Sequence, residues 1–403
     1  MNLLQSALLP AVMLLGQHVA ADSEPLLKTD FTKNPVAAGW ELRGTGDQPF
    51  DGGWIETSDT PRQHCLVVRS GCWQTPAIRV EPFHFYCFDF TSKAEKGGLW
   101  SAVFFDADGK ELVADDYDTI YASAEWQPQT FCIRANATAR HVRIRFYASG
   151  QPLYVKAAAL KEVDSAAVAE WADGIAALNP ALYYTPPENR CSRLPKTMKT
   201  LRQGGELRIV MLGDSICNDI SNSLYETLLT RVCPKARIEV TASVRGGTGC
   251  QYYKDENRVQ DYVLSFKPDL VIIAGISHGY DPEAIRSVIR QIKSHSDCEF
   301  LVLTGALTPD ETCKEGYLKS SGLTTSRALE NFEKFTARMQ RMTDEEHVEL
   351  LDMRSAWNDY VLKSPRPIEW FHRDPIHGNS RGKQVVGRIL FRYLEPQESA
   401  NKE

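Results

Sequence analysis

Two short segments, far apart in the chain, carry side chains suited to serine acyl transfer. Ser215 follows residues 209–214, an apolar run closed by Gly-Asp, which predicts a buried strand that ends with the serine hydroxyl lifted out of the sheet. Asp374 and His377 lie three residues apart near the other end, so one turn can hold both while the carboxylate orients the imidazole. Together they supply a nucleophile, a general base and a group that orients the base. Each segment alone is a weak signal, but both together, in this order, indicate a serine hydrolase.

The two segments resemble the first and last motif blocks of the SGNH (GDSL-type) hydrolases, which are esterases and lipases. In that family the nucleophile lies early in the domain, and the Asp and His lie close to its end. The resemblance covers residues 195–395, about half of the chain. It implies that Ser215 is the nucleophile, His377 the base and Asp374 its orienting partner, with no cofactor and no metal.

Each of these residues also has a simpler structural interpretation. Ser215 could cap the helix that follows the strand, and Asp374 could cap another helix. His377 could be an ordinary surface histidine. His372 is a weaker candidate for the base because it stands outside the Asp-x-x-His pair formed by Asp374 and His377. The presence of candidates for all three roles favours the catalytic interpretation.

The oxyanion formed in acyl transfer needs preorganised hydrogen-bond donors. The backbone N–H of Ser215 is one candidate. Residues 244–249 (Val-Arg-Gly-Gly-Thr-Gly) resemble the second block of the family, in which a glycine offers its N–H. Gly246 is the best match and Gly247 the next.

The third block departs from the family pattern. The family has Gly-x-Asn-Asp there, with the Asn amide donating to the oxyanion, whereas residues 274–279 read Ala-Gly-Ile-Ser-His-Gly. By register Ser277 takes the Asn position, and His278, one residue on, is the alternative. Both side chains can donate a hydrogen bond, so the predicted oxyanion hole comprises Ser215, Gly246 and either Ser277 or His278.

The chain is long enough for two domains, and its composition is that of a globular protein. It has 403 residues, of which 43% are hydrophobic and 24% charged, and its net charge is −6. The acidic balance and the lack of a basic cluster argue against a nucleic-acid partner.

Residues 1–21 predict a cleavable signal peptide, with an apolar stretch over 7–15 and small residues before Asp22. One departure is the absence of Lys or Arg at the start. A signal anchor is the competing interpretation, but several polar residues and Pro10 make the segment a poor membrane span. We therefore expect a secreted or periplasmic protein with no stable membrane insertion.

Ten cysteines fit an exported protein, four of them within residues 22–163 and six after that range. None has metal-site spacing, so structural disulfides or buried thiols are expected. Cys217 follows the nucleophile by two residues and Cys250 follows the glycine-rich turn. A disulfide between them, bracing the floor of the active site, is one hypothesis.

Residues 22–163 predict an all-β sandwich, followed by a connector over 164–204. Strands are expected at 99–105 and 141–147, the second with polar and apolar residues alternating. The segment is similar to jelly-roll carbohydrate-binding modules, and Trp73, Trp100 and Trp126 could form a sugar-stacking surface. The alternative, favoured for any one tryptophan, is that they fill the sandwich core.

Residues 205–396 predict an α/β hydrolase domain, a three-layer α/β/α fold of flavodoxin-like type, because strands and helices alternate along the chain. Such alternation implies a parallel sheet with its site at the carboxyl ends of the strands. The predicted strands are 207–213, 237–244, 269–275, 299–305 and 348–352. The predicted helices are 219–232, 256–266, 282–294, 325–343 and 380–394.

These features together predict a secreted serine esterase that removes acyl groups, acetyl above all, from carbohydrate or another small ester. The alternatives are a lipase-like or lysophospholipase-like esterase, and a non-catalytic carbohydrate-binding protein with a degenerate hydrolase domain. The missing Asn supports the degenerate domain, and the presence of Ser215, Asp374 and His377 opposes it.

Overall fold

A computed structural model describes residues 24–44, 49–57, 62–255, 257–278, 281–306 and 325–397, with the side chains of 325–332 excepted. The chain forms two compact units. The first is the chain up to Lys110 with Tyr117–Gly174, and the second is Glu111–Asp116 with Ile175 onward. The predicted signal peptide lies outside the described residues. Within these ranges no helix is both long and apolar enough to cross a membrane.

The first unit consists of two antiparallel sheets and a helix. One sheet has the order β10-β7-β12-β4-β3, with β1 paired to β12, and the other has the order β2-β5-β11-β8-β9, with β6 paired to β11. The elements are β1 (Leu27–Thr29), β2 (Glu41–Arg43), β3 (Asp51–Glu56), β4 (His64–Ser70), β5 (Cys72–Gln74), β6 (Ile78–Arg79), β7 (Phe85–Ala94), β8 (Gly98–Phe105), β9 (Asp116–Ile120), β10 (Ser123–Arg134), β11 (His141–Ala148), β12 (Leu153–Val163) and α1 (Ser165–Ala177). The predicted β-sandwich is confirmed.

Alternation of side chains explains how the sandwich forms. In β11 every second residue is buried, so one face of the strand lines the core while the other stays more accessible. Phe88, Phe90 and Phe146 pack together there. A disulfide joins Cys87 of β7 to Cys132 directly opposite on β10.

The three tryptophans do not share one exposed surface. Trp73 and Trp100 are buried, so the core interpretation holds for both. Trp126 is only partly buried, and the ammonium of Lys156 lies 4.7 Å from its ring centroid. A sugar-stacking surface built from all three is therefore wrong.

The second unit is a parallel five-stranded sheet with helices, as the sequence predicts. The strand order is β14-β13-β15-β16-β17. The strands are β13 (Gly205–Gly213), β14 (Ala236–Val244), β15 (Leu270–Ala274), β16 (Glu299–Leu303) and β17 (Glu349–Leu351). The helices are α2 (Pro195–Gln203), α3 (Ser215–Ser221), α4 (Tyr225–Val232), α5 (Cys250–Tyr253), α6 (Arg258–Tyr262), α7 (Pro282–Lys293), α8 (Thr325–Glu345), α9 (Met353–Lys363) and α10 (Ser380–Leu394).

The helices differ from the predicted set in several places. The predicted helix 219–232 is two helices, α3 and α4, because Leu224 adopts a left-handed backbone conformation with φ of 58°. The helices α2, α5 and α9 are not in the predicted set, and α9 is the longest of the three. Its hydrophobic residues Trp357, Tyr360 and Val361 pack into the core.

The sheet is covered on both faces, which explains its uniformly apolar central strands. Ile209 and Met211 of β13 belong to one hydrophobic cluster, and Val210 and Leu212 belong to the other. Cys217 lies in the first cluster and Cys250 in the second, and both are buried free thiols. The hypothesis of a Cys217–Cys250 disulfide is therefore wrong.

Residues 111–116 belong to the second unit, although they fall inside the range that the sequence assigns to the sandwich. The side-chain amides of Asn218 and Asn222 donate to the backbone oxygen of Asp115, over 2.6 and 2.9 Å. The ammonium of Lys383 on α10 pairs with the Asp116 carboxylate at 2.6 Å, and both side chains are buried. This short segment thus packs beside α3, the helix that begins at Ser215.

Candidate active site

The order of the parallel strands predicts where a site forms. The order corresponds to 2-1-3-4-5 when the five strands are numbered along the chain, so the crossover direction reverses between β13 and β15. In open parallel sheets the crevice at the carboxyl ends of the strands on either side of such a reversal is where ligands bind. Ser215 directly follows β13 and Asp214, and it is the first residue of α3.

Asp214 joins the two strand ends of this crevice. Its Oδ1 accepts hydrogen bonds from the backbone N–H groups of Ile216 and Cys217, at 2.9 and 3.3 Å, and so caps α3. Its Oδ2 accepts from the N–H groups of Ile276 and Ser277, each at 2.7 Å. The carboxylate therefore fixes the loop after β15 to the start of α3.

Gly275 is required for this close approach. Its φ is +120°, a conformation that residues with a side chain rarely adopt, and a Cβ there would lie 2.4 Å from Asp214 Oδ1. A larger residue would push the loop away from the carboxylate. The backbone after β15 can therefore pass directly over Asp214 only because residue 275 is glycine.

The structure brings Ser215, His377 and Asp374 into one hydrogen-bonded chain. His377 Nε2 lies 2.8 Å from Ser215 Oγ. On the other side of the ring, Nδ1 lies 2.8 Å from Oδ2 and 3.0 Å from Oδ1 of Asp374. This arrangement can remove a proton from the serine hydroxyl while the carboxylate stabilises the protonated imidazole.

Asp374 is held ionised by its surroundings. Burial raises the pKa of its carboxyl, but hydrogen bonds from the His377 ring and from the N–H groups of Ile376 and His377 outweigh burial, and the net pKa is well below the usual value. The side chains of Asp374 and His377 are 42% and 21% exposed. A substrate can therefore reach the pair from solvent.

His372, the weaker candidate for the base, has a different environment. Its ring stacks parallel to that of Trp357, with centroids 5.8 Å apart. Burial lowers the pKa of His372 to about 4, so the ring is neutral near pH 7. The histidine that is hydrogen-bonded to Ser215 Oγ is His377.

The other predicted donors lie around the same strand ends. The Asp214 carboxylate accepts from the N–H groups of Ile216 and Cys217. The N–H of Ser215, the first residue of the helix, has no intrahelical acceptor and is left available. Arg245, after β14, donates its N–H to the Gly213 oxygen at 3.0 Å. Gly246 is exposed beside it, and no atom lies within 4 Å of where its Cβ would be.

Ser277 and His278 differ in their surroundings. Ser277 is partly exposed and donates its N–H to Asp214. His278 is only 3% exposed, and its Nδ1 accepts from the Cys250 N–H at 3.4 Å. Its Nε2 is buried and has no partner among the described residues, and burial lowers the pKa of the ring. His278 is thus engaged with the start of α5.

Several residues around the site were not assigned a role from the sequence. Asp214 was read only as a flank of the serine. Tyr253 donates its hydroxyl to the Gly213 oxygen at 2.6 Å and so supports the strand end. Asp219 accepts from Arg373 and from Gly378, next to the Asp374–His377 turn. Its position four residues after Ser215, on the same helix face, is the signal that could have identified it.

No metal site accompanies this arrangement in the ranges that the structure covers. Groups of three or more His, Cys, Asp or Glu side chains able to hold an ion are absent from those residues.

Comparisons with known proteins find similarity only at the level of structure. No family model matches the sequence, and no curated protein does. One similar solved structure is a two-domain esterase (CEX) active on acetylated mannans, with 18% identity and a TM-score of 0.40, covering 53% of this chain and 56% of that one. The chain thus matches little more than half the length of that structure.

Two further structures resemble parts of the chain. BT4096, a gut microbial diltiazem-metabolizing enzyme, has 15% identity and a TM-score of 0.38, covering 49% of each chain. The CBM22-1 xylan-binding domain from Paenibacillus barcinonensis Xyn10C has 10% identity and a TM-score of 0.29, covering 36% of this chain and 98% of that domain. At these identities the likeness concerns the fold alone.

Proposed function

We propose that this protein is a secreted serine esterase that hydrolyses acyl esters, acetyl esters above all, on carbohydrate. The observation that carries the proposal is the unbroken chain of hydrogen bonds from Asp374 through His377 to Ser215, with 2.8 Å at each junction. It lies at the carboxyl ends of a parallel sheet, where the topology predicts a site.

In the proposed mechanism Ser215 Oγ attacks the ester carbonyl carbon while His377 Nε2 takes its proton. The tetrahedral intermediate collapses as His377 returns the proton to the leaving alcohol, which leaves an acyl-serine. A water molecule, activated by the same imidazole, then attacks the acyl carbon, and the proton returns to Ser215 as the acid is released. Asp374 stays ionised throughout and stabilises the imidazolium.

The oxyanion would be held by the N–H groups of Ser215 and Gly246, with Ser277 as the third donor in place of the family's Asn. Ser277 is favoured over His278 because it is the more accessible of the two, whereas the His278 ring is buried against Cys250. A hydroxyl can donate one hydrogen bond, which suffices for this role.

The carbohydrate part of the proposal rests on the predicted export of the chain and on the β-sandwich that precedes the α/β unit. The acyl part rests on the site itself, since Ser-His-Asp chemistry acts on esters of any alcohol. A preference for acetyl over longer acyl groups is the part that separates a carbohydrate esterase from a lipase-like enzyme.

The test compares the wild type with Ser215→Ala on 4-nitrophenyl acetate, butyrate and octanoate, and on acetylated mannan and xylan. We expect the wild type to release acetate from the acetyl ester and from at least one polysaccharide. Ser215→Ala should reduce kcat by at least about 10⁴-fold, because the nucleophile is lost, while circular dichroism and Tm stay unchanged.

Each alternative corresponds to a different result. Faster turnover of the octanoate ester would indicate a lipase-like esterase. No turnover of any ester by folded wild type, combined with binding to a polysaccharide, would indicate a degenerate hydrolase domain. Full activity of a folded Ser215→Ala variant would refute the nucleophile.

A further inference from the structure

The turn that carries Asp374 and His377 is tied to α3 by a second set of contacts besides the Ser215 hydrogen bond. Asp219 Oδ1 accepts from Arg373 Nη1 at 2.8 Å, and Asp219 Oδ2 accepts from the Gly378 N–H at 2.9 Å. The two oxygens thus hold the residue just before Asp374 and the residue just after His377. One carboxylate fixes both ends of the turn.

The turn is also closed on itself. The Arg373 N–H donates to the His377 oxygen at 3.0 Å, and the Arg373 guanidinium donates to the Gly378 oxygen. Arg373 therefore contacts Asp219 and both residues at the end of the turn. Movement of any one of these groups would move the His377 backbone with it.

Burial makes this arrangement rigid. The side chains of Asp219 and Arg373 are 2% and 10% exposed, in contrast to the exposed ion pairs elsewhere on the molecule. An exposed pair is screened and mobile, whereas a buried charged pair is retained only in good geometry with its hydrogen bonds satisfied. The pair therefore has little freedom to adopt a second arrangement.

The spacing along α3 explains why the contacts matter for the imidazole. Ser215 and Asp219 are four residues apart in one helix, so their side chains lie on the same face. Ser215 contacts the side chain of His377, and Asp219 contacts the backbone that carries it. The position of Nε2 relative to Oγ is therefore set by the same short helix that carries the nucleophile.

We propose that Asp219 and Arg373 are positioning residues that hold His377 within hydrogen-bond distance of Ser215. The proposal rests on the proposed function, in which that hydrogen bond transfers the serine proton. Neither residue contacts the reacting atoms. Their effect passes through the backbone on either side of the Asp374–His377 turn.

The experiment uses Asp219→Asn, Arg373→Met and Arg373→Lys in the full-length protein, with kcat and KM for 4-nitrophenyl acetate. Asp219→Asn and Arg373→Met should lower kcat about a hundredfold, the effect of a displacement of about 1 Å, with KM changed less than about threefold. Arg373→Lys keeps the positive charge, so its kcat should be at least about tenfold higher than that of Arg373→Met.

Glu346→Gln is the matched control, because Glu346 is also a buried carboxylate paired with arginines. It contacts Arg286 at 3.2 Å and Arg290 at 2.7 Å and is 8% exposed, but it follows α8, away from the turn. Assays at a temperature well below each variant's Tm remove the contribution of unfolding. Glu346→Gln should keep the wild-type kcat even where its Tm falls as far as that of Asp219→Asn.

Crystal structures of the wild type and Arg373→Met separate this proposal from the proposed function. The Ser215 Oγ to His377 Nε2 distance should exceed 3.5 Å in the variant and stay near 2.8 Å in the wild type. A longer distance in Arg373→Met, found together with an inactive wild type, would support the positioning role of Arg373 and refute the proposed esterase activity. If the wild type is active, an unchanged kcat in folded Asp219→Asn and Arg373→Met, with an unchanged distance in Arg373→Met, would overturn the positioning role. An equal loss of kcat in Glu346→Gln would overturn it as well.

Discussion

Replacing Asp214 by asparagine tests whether this carboxylate joins the two sides of the crevice. Asp214 is 1% exposed and accepts four backbone N–H groups, two on each oxygen. Asparagine keeps one oxygen and replaces the other by an NH₂ group, which is a donor. Two of the four N–H groups would then face a donor in a buried position.

The size of the effect follows from these two groups. A buried donor left without an acceptor costs about 1–3 kcal/mol, so Asp214→Asn should lower the free energy of unfolding by about 2–6 kcal/mol. In a domain of this size that corresponds to a Tm lower by about 4–24 °C. If the amide oxygen stays toward Ile216, the loop with Ser277 is released, and if it turns toward the loop, the first turn of α3 frays.

Thermal and urea unfolding, followed by circular dichroism and tryptophan fluorescence, measure this loss. Asp281→Asn is the matched control, because Asp281 also caps a helix, by accepting from the Glu283 N–H, and asparagine caps as well as aspartate. Its Tm should stay within about 2 °C of the wild type. A Tm for Asp214→Asn equally close to the wild type would contradict the four-bond description of this carboxylate.

Two further predictions concern neighbouring residues. Burial lowers the pKa of His372 from 6.5 to about 4, so the unfolded chain binds more protons than the folded chain between these pH values. The free energy of unfolding should therefore fall by up to about 3 kcal/mol on acidification from pH 6.5 to 4. A pH series of urea denaturations should show a smaller fall in His372→Phe. Ser277→Ala should lower kcat by about 10²–10³-fold with little change in Tm, and an unchanged kcat would exclude the Ser277 hydroxyl as an oxyanion donor. His278→Ala removes a buried ring and should mainly lower Tm.

The elements of the α/β unit could be predicted because their signals are local. Residues 209–212 are apolar without interruption, as expected for a strand covered on both faces, and the break at Gly213 marks its end. The spacing of Asp374 and His377 likewise places them on one turn. His377 lies within hydrogen-bond distance of both Ser215 and Asp374, the other two residues that the sequence indicates.

The features that could not be predicted depend on non-local packing. Trp73 and Trp126 are both aromatic residues in strands, and the sequence around them is similar. Trp73 is buried in the core, whereas Trp126 is only partly buried. Asp116 pairs with Lys383 across 267 positions of sequence, and no local pattern indicates such a pairing. The proximity of Cys217 and Cys250 to the site in sequence suggested a disulfide, whereas the sheet face that each occupies was decided by the fold.

The ionisable groups around the site divide into two kinds by exposure. Asp214 and Asp219 are buried, and their oxygens accept from backbone N–H groups or from Arg373, so these two carboxylates fix the backbone. Asp374 and His377 remain accessible, and in the proposed mechanism His377 is the group that transfers protons to the bound ester. Mutations should therefore fall into two classes. Mutations at Ser215 should remove turnover without loss of stability. Mutations at the buried carboxylates should lower turnover and stability together, since the same hydrogen bonds stabilise the fold and position the imidazole.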